Sequence, residues 1–457
     1  MPSVLVIGGG PAGASFAARM AEFGAEVTLV ERLAFPRPRL GESLTPGVRD
    51  LLKATGAWPM VEREAFPTAR DVHVLWEDDT VVRMKPGAEG LLVDRGRFDQ
   101  LLLSHAIRQG VRVLQPATLV SQTASDHGWD VLVAHGGGQE LIRTDLIADA
   151  RGRSGQAGAR RRAMGARTLA VYAEWQSANL PQHATVAAGA RGWFWGIPLP
   201  GGRYTAQAFV SPATLHDMGE DGLEDRYRRL IESSPLLNGL QGAKAMGKVC
   251  ATDATPFLVE EPVTPRSIRL GDAALALDPI SSSGVQRAVQ TALSGAIVAN
   301  TLLRRRDLVG AAQDFYRNSL SAAAARHAAW AGTHYAAAAR SRPDPFWSAR
   351  AGSAPPAAGP EASLGLDHEV RLSPAARLVD VPCLGRAFVE MRSSLVHPAL
   401  DEPVAFLAHQ PLAPLISGIT QGSIAALARN WSRHMPAATA VSIALWLSRK
   451  GVLVSAA

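Results

Sequence analysis

Residues 3–31 read SVLVIGGGPAGASFAARMAEFGAEVTLVE, and their order decides the fold. Ser3 to Ile7 is a short apolar run of the kind that a parallel sheet buries on both faces. The run stops at glycines, and apolar residues then recur at helical spacing over 13–23. Residues 25–30 form a second β-branched run that closes on Glu31. The stretch is a βαβ unit, and Gly8-Gly9-Gly10-Pro11-Ala12-Gly13 fits G-x-G-x-x-G after a strand and opening a helix, where the pattern has meaning. Gly10 lets the backbone approach a pyrophosphate on the helix N-terminus, and Gly13 permits tight packing of helix on strand. Glu31 stands where a carboxylate accepts ribose hydroxyls. The pattern alone fits a flavin or a nicotinamide dinucleotide.

Composition allows such a unit a large core, since the chain has 457 residues and is 47% hydrophobic. Its formal charge of +6 is spread out, with the longest basic clusters at Arg160 to Arg162 and Arg304 to Arg306. That pattern reads as solvated surface rather than a nucleic-acid site. The two cysteines, Cys250 and Cys383, lack disulfide or metal-ligand spacing, so no metal site is expected. The chain opens directly on a strand, without a secretory signal, and the apolar stretch 322–339 is interrupted by Arg326, His327 and His334. A cytoplasmic protein without a membrane span is expected.

Strand-like runs recur at 72–76, 91–93, 111–114, 129–134, 146–148, 170–175, 204–210 and 267–270, which predicts a mixed α/β body with a second sheet. Composition turns helical and alanine-rich over 285–339. Residues 351–360 (AGSAPPAAGP) have linker composition. Beyond them, 403–454 reads as three short amphipathic segments and an apolar end, either a small winged helix with its wing after Lys450-Gly451 or a helical cap.

Seven further segments carry chemistry: 146–154 (LIADARGRS, with Asp149), 269–274 (RLGDAA), 94–99 (DRGRFD), 36–46 (PRPRLGESLTP), 192–198 (GWFWGIP), 278–288 (DPISSSGVQRA) and 334–350 (HYAAAARSRPDPFWSAR). The first three resemble segments of flavoprotein hydroxylases. The W-x-W-x-I-P at Trp193 and Trp195, with the G-E-S segment, resembles the flavin-dependent halogenases over residues 1–350. The resemblance implies a Rossmann-like FAD-binding domain of the p-hydroxybenzoate hydroxylase and glutathione reductase type, with a substrate sheet interleaved from about 60–95 and 165–265, and a small domain at 361–457. It implies FAD held by Gly8, Gly10, Ala12, Gly13, Glu31, Arg32, Arg39, Gly41, Glu42, Ser43, Arg97, Asp272, Pro279, Ser283, Gly284 and Val285.

In those halogenases the two tryptophans keep substrate from the flavin, and a lysine near the substrate carries the oxidant onward. Aligning 66–76 (FPTARDVHVLW) on the family segment puts Ala69 at the lysine position, with Arg70 beside it. A guanidinium stays protonated and is no free amine. Ser281 stands where the free-tryptophan halogenases carry a glutamate. These departures point from halogenation to oxygenation by a flavin C4a-hydroperoxide formed with O2, with Glu42 and His73 as candidate acid or base groups beside Trp193 and Trp195.

Halogenase-like flavoproteins without the lysine, and with a longer chain, resemble the monooxygenases of tryptophylquinone (CTQ) biogenesis. That resemblance implies a peptidyl tryptophan as substrate, on the crosslinked small subunit of a quinohemoprotein amine dehydrogenase, with a maturation enzyme as a further partner and the C-terminal domain as a docking surface. A halogenase or hydroxylase of a small aromatic is the alternative. No second G-x-G-x-x-G is present, so reducing equivalents are expected from a flavin reductase as reduced flavin, or from NAD(P)H docking transiently.

Overall fold

The computed structural model describes residues 1–37, 39–77, 79–83, 89–155, 159–177, 180–234, 236, 243–352 and 364–456. The chain divides into two compact units, Met1–Val309 with Tyr316–Ala354, and Gly310–Phe315 with Pro355–Ala457. From residue 353 onward the expected linker lies outside the described residues.

In the first unit, β1 (Ser3–Ile7), α1 (Pro11–Glu22) and β2 (Glu26–Val30) form the expected parallel βαβ motif, with Ser3 paired to Glu26 and Ile7 to Val30. Pro11 opens α1 because its missing N–H is one that a first helical turn leaves unpaired anyway. The next elements are β3 (Glu42–Leu44), α2 (Val48–Ala54), α3 (Trp58–Arg63), β4 (Thr68–Ala69), β5 (Asp71–Leu75), β6 (Asp79–Arg83), β7 (Gly90–Val93) and α4 (Arg95–Arg108). Asp94 caps α4 by accepting from the Arg97 amide at 3.1 Å. After β8 (Arg112–Leu114), the strands β9 (Ala117–Ser125), β10 (Gly128–His135) and β11 (Gly138–Thr144) make an antiparallel meander, and β12 (Leu146–Asp149) returns beside β1. The central sheet runs Val263–Thr264, Ser267–Arg269, β12, β1, β2, β8, and its middle strands are buried on both faces.

The second sheet holds seven strands. They are introduced by β13 (Arg161–Ala163), which belongs to a separate small sheet, and continue as β14 (Leu169–Gln176), β15 (Ala184–Ala188), β16 (Gly192–Leu199), β17 (Arg203–Val210) and, after α5 (Pro212–Asp217) and α6 (Leu223–Glu232), β18 (Lys244–Asp253). Their order is β18-β14-β17-β16-β15-β5-β6, antiparallel except for β15 beside β5. Alternation along β16 sends Trp193, Trp195 and Ile197 to one core and Phe194 to the other. Trp193 stacks on Phe209 at 3.8 Å, and Trp76, Tyr335, Phe346 and Trp347 pack edge-on around them, at 5.1 to 6.4 Å. Two long helices follow, α7 (Gly284–Arg304) and α8 (Val309–Ala339). Among the described residues no helix is long and apolar enough to cross a membrane.

The second unit has its own core of Val370, Leu412, Ile424, Trp431, Ile443 and Leu447. Its helices Leu412–Ser417, Ile424–Trp431 and Ala437–Arg449 match the three amphipathic segments. After Gly451 the chain forms Leu453–Ser455, which pairs back onto Glu369–Leu372. The hairpin Arg377–Leu384 with Val389–Val396 is an addition that the sequence reading did not anticipate.

Candidate active site

The turn after β1 is held open by two close approaches. A Cβ on Gly13 would lie 1.9 Å from the Gly8 carbonyl oxygen, so only glycine lets α1 begin so near the strand. Gly8 has φ +107°, a conformation costly for any other residue. The turn borders a cavity of about 860 Å³, lined by Gly8, Gly10, Ala12, Glu31, Arg32, Asp272, Gly284 and Val285 among others. No side chain caps the N-terminus of α1 or of α7, whose Gly284 and Val285 line the same space. Two helix N-termini with uncapped amides beside a cavity suit an anion such as a diphosphate.

A chain of buried charges ties this turn to a second, larger cavity of about 1120 Å³. Glu31 is 3% exposed and accepts from the Gly9 amide at 2.8 Å, the Leu33 amide at 3.0 Å and Arg37 at 3.0 Å. Arg37 also donates to Asp99 at 3.1 Å, and Asp99 accepts from Arg95 at 2.9 Å. Arg95 finally donates to Glu42. Burial works against the Arg95 charge, but Asp99 and Glu42 outweigh it and raise its pKa. Arg39 is the opposite case, since burial and then the charges of Arg37 and Arg95 lower its pKa. Such an arginine gains from an incoming anion.

The expected residues divide by place. Gly41, Trp195, Pro279 and Ser283 line the larger cavity; Arg32, Arg39, Glu42, Asp272 and Gly284 line both. Asp272 lies 3.6 Å from Arg153; burial pushes its carboxyl up, and Arg153 and Arg95 pull it back. Gly13 packs beneath the turn, and Ser43 offers its carbonyl oxygen to the Ser282 hydroxyl at 2.9 Å. Trp193 is 1% exposed and sits behind Trp195.

Two expectations are corrected. Arg97 turns away from both cavities and pairs with Glu64 through two contacts of 2.8 Å on the exposed side of α4, so the arginine of DRGRFD at the cavities is Arg95. A clue lay in its spacing: Arg95 is four residues before Asp99, and the two share a helix face. His73 is not part of either lining but stacks on His183 at 3.5 Å, leaving Glu42 as the cavity-lining member of the acid–base pair.

Other residues escaped the sequence. Asp278 lines the larger cavity while accepting from the Tyr335 hydroxyl at 3.0 and 3.1 Å, and Trp193 donates its indole N–H to that hydroxyl at 3.2 Å. Burial pushes the Asp278 carboxyl up, against the Ile280 amide and Tyr335, which pull it down. Burial and Asp278 push the Tyr335 phenol well above its usual value. Phe209, Gln207 and Tyr172 complete much of the wall. Ala69 is 7% exposed and lies in the apolar cluster of Trp76, Trp193 and Trp195. Among the described residues the only lysine in the lining is Lys248, on β18.

Comparison with known proteins agrees with this geometry. The tryptophan halogenase family model matches residues 77–368, and the pyridine nucleotide-disulphide oxidoreductase model matches 3–58. A tryptophan 2-halogenase of Chondromyces crocatus is 28% identical over 377 residues, 76% of this chain and 70% of that one. A 1H-pyrrole-2-carbonyl-[peptidyl-carrier protein] chlorinase of Pseudomonas fluorescens is 25% identical over 342 residues, 63% of this chain and 73% of that one. Among solved structures, the flavin-dependent halogenase CmlS superposes with a TM-score of 0.83 at 21% identity, covering 99% and 96% of the two chains, a likeness of fold. The peptidyl tryptophan dihydroxylase QhpG, essential for tryptophylquinone cofactor biogenesis, superposes with a TM-score of 0.76 at 27% identity, covering 98% and 99%. FAD is the cofactor, and the uncapped helix ends, Glu31 and Asp272 fit it. With a family model matched over well more than half its length, the chain belongs to the tryptophan halogenase family of flavin-dependent enzymes.

Proposed function

We propose that this enzyme is an FAD-dependent monooxygenase that hydroxylates a tryptophan side chain carried on a polypeptide. The observation that carries the reading is Ala69. Where the halogenase resemblance expects an amine, the protein has a methyl group packed among Trp76, Trp193 and Trp195, and its neighbour Arg70 is exposed. An alanine can neither take up nor deliver an oxidised halide. The structural likeness to a peptidyl tryptophan dihydroxylase, over nearly the whole of both chains, supports the same direction. In its finest form the reading names the crosslinked small subunit of a quinohemoprotein amine dehydrogenase, with CTQ as the product of maturation.

Bound FAD, once reduced, supplies the electrons that activate O2. The protein's part is to bind, orient and keep water out. Gly8 to Gly13 and the N-terminus of α7 would hold the diphosphate, while Glu31 and Asp272 would hold sugar hydroxyls. Trp195 and Phe209 give the larger cavity an apolar wall against which an indole ring can lie. Glu42, fixed by Arg95, is a carboxylate at the cavity able to take up a ring proton. Asp278, with Tyr335 donating to it, is held in one orientation at the larger cavity.

One observation favours a second reading. Lys248 lines the larger cavity from β18 and offers an amine to a halogenating mechanism on a small aromatic. The test is to supply holoenzyme with reduced flavin, 18O2 and a tryptophan-containing peptide in halide-free buffer, then to add chloride and bromide. Incorporation of labelled oxygen into the tryptophan is expected. A halide-dependent product from free aromatics, with no oxygen in the peptide, would sink the proposal.

A further inference from the structure

β18 is the outermost strand of the second sheet, hydrogen-bonded to β14 on one side. Nine of its ten residues are exposed, and among the described residues no strand pairs with its outer edge. A free edge is a template for another chain, and proteins commonly blunt it with bulges, lysines or brevity. β18 has a bulge between its pairings of Met246 with Glu174 and Cys250 with Tyr172, where Gly247 adopts φ +67°. From Cys250 to Asp253 the edge runs on without interruption.

That edge lies at the active site. Met246, Lys248, Cys250 and Thr252 line the larger cavity, together with Gly247 in the bulge and Asp253 at the strand end, whereas Val249 packs on the opposite face against the core of Tyr227 and Leu230. We infer that β18 is the docking strip for an extended, acidic polypeptide segment carrying the target tryptophan, which adds to the sheet as one more strand. The inference rests on the functional reading above and names how that substrate is held. An added strand keeps the alternation of its neighbour, so a tryptophan opposite Cys250 or Thr252 projects its indole to the cavity side. Trp195 and Phe209 already wall that space. The charge of the partner follows from Lys244 and Lys248, which share the cavity-side alternation and form no ion pair among the described residues. A carboxylate two to four positions from the tryptophan falls opposite Lys248, and one six to eight positions away falls opposite Lys244, within reach of a cross-strand pair. Main-chain hydrogen bonds supply affinity, and the cavity supplies the selection of tryptophan.

The test uses the full-length holoenzyme and a fluorescent peptide of roughly the ten-residue length of β18, with one central tryptophan and flanking aspartates. Amide hydrogen exchange and fluorescence anisotropy are read with this peptide, with a twin N-methylated at alternate backbone nitrogens, and with one whose aspartates are lysines. Expected are slowed exchange at residues 250–253, a Kd raised about tenfold by N-methylation, and a similar loss with the lysine peptide that Lys248→Glu reverses. Equal binding of the N-methylated twin, binding without protection of those amides, or no binding would overturn the inference. The two readings can fail separately. Protection of β18 without oxygen transfer to the bound tryptophan keeps the docking strip and removes the hydroxylase; oxygen transfer without protection does the reverse.

Discussion

Arg95 and Arg97 stand two positions apart in the first turn of α4, and a helix that turns about 100° per residue sends them to opposite sides. Arg95 meets Asp99, which is fully buried, and Glu42; Arg97 meets Glu64 in solvent. Truncating Arg95 to leucine leaves buried Asp99 with Arg37 alone and takes the partner from Glu42, a loss of about 1.5–3 kcal/mol, and should empty the protein of flavin. Arg97→Ala removes an exposed pair and should cost less than about 1 kcal/mol with FAD retained. Thermal unfolding and the flavin-to-protein absorbance ratio measure both. Gly13 is equally local: Gly13→Ala places a methyl group on the Gly8 carbonyl oxygen, so the turn must open. The variant should purify without FAD, and bound flavin at the wild-type level would contradict the packing argument. The glycine turn was legible because its chemistry is written in consecutive residues. Arg95 was not chosen, since side-chain direction within DRGRFD depends on where the helix begins.

At the level of single strands, β16 shows what alternation makes plain and what it leaves out. W-x-W places two tryptophans on one face, yet only Trp195 reaches the cavity while Trp193 is locked between Phe209 and Tyr335. Trp193→Ala should therefore cost about 3–5 kcal/mol. Trp195→Phe keeps an aromatic wall and should leave the melting temperature nearly unchanged while releasing more peroxide per flavin oxidised. Calorimetry and a peroxide assay separate the two. In β5, His73 pairs in register with Thr185, two residues from the imidazole of His183 on which it stacks. Burial, and then the charge of His73, lower the pKa of His183. A histidine whose pKa the fold lowers binds its proton less readily folded than unfolded, so its contribution is present above the ordinary histidine range and fades as pH falls through it. His183→Phe preserves a ring against His73 and removes that proton site. Denaturant unfolding from pH 8 to 5 should show wild type losing stability relative to the variant as pH falls. Parallel pH profiles would refute the assignment. No sequence pattern announces this stack, because His183 is brought to His73 by a parallel pairing across more than a hundred residues.

Over the whole molecule, the mixed α/β plan was legible, since each βαβ or hairpin step is local, but the order of the second sheet was not. Its strand order sets β5 and β6 together at one edge, beside β15, and long-range burial around Trp193 and Tyr335 accompanies that arrangement. In the second unit, the three helices were readable from their apolar spacing, whereas Arg377–Leu384 and Val389–Val396 are half-exposed strands without clean alternation. The count of dinucleotide turns is also a whole-chain property. G-x-G-x-x-G occurs once, at Gly8 to Gly13, and both cavities meet around the charges it anchors. One such turn serves FAD and leaves no second glycine turn of that kind for a nicotinamide dinucleotide. We expect hydride to be delivered to flavin on a reductase and to reach this protein as reduced flavin. In anaerobic stopped-flow mixing, NAD(P)H alone should bleach the bound FAD slowly, and a catalytic amount of flavin reductase with free FAD should speed bleaching by at least tenfold, the gain expected when a bimolecular encounter without a binding site gains a carrier. Rapid, saturable bleaching by NAD(P)H alone would demand a nicotinamide site built without the glycine turn.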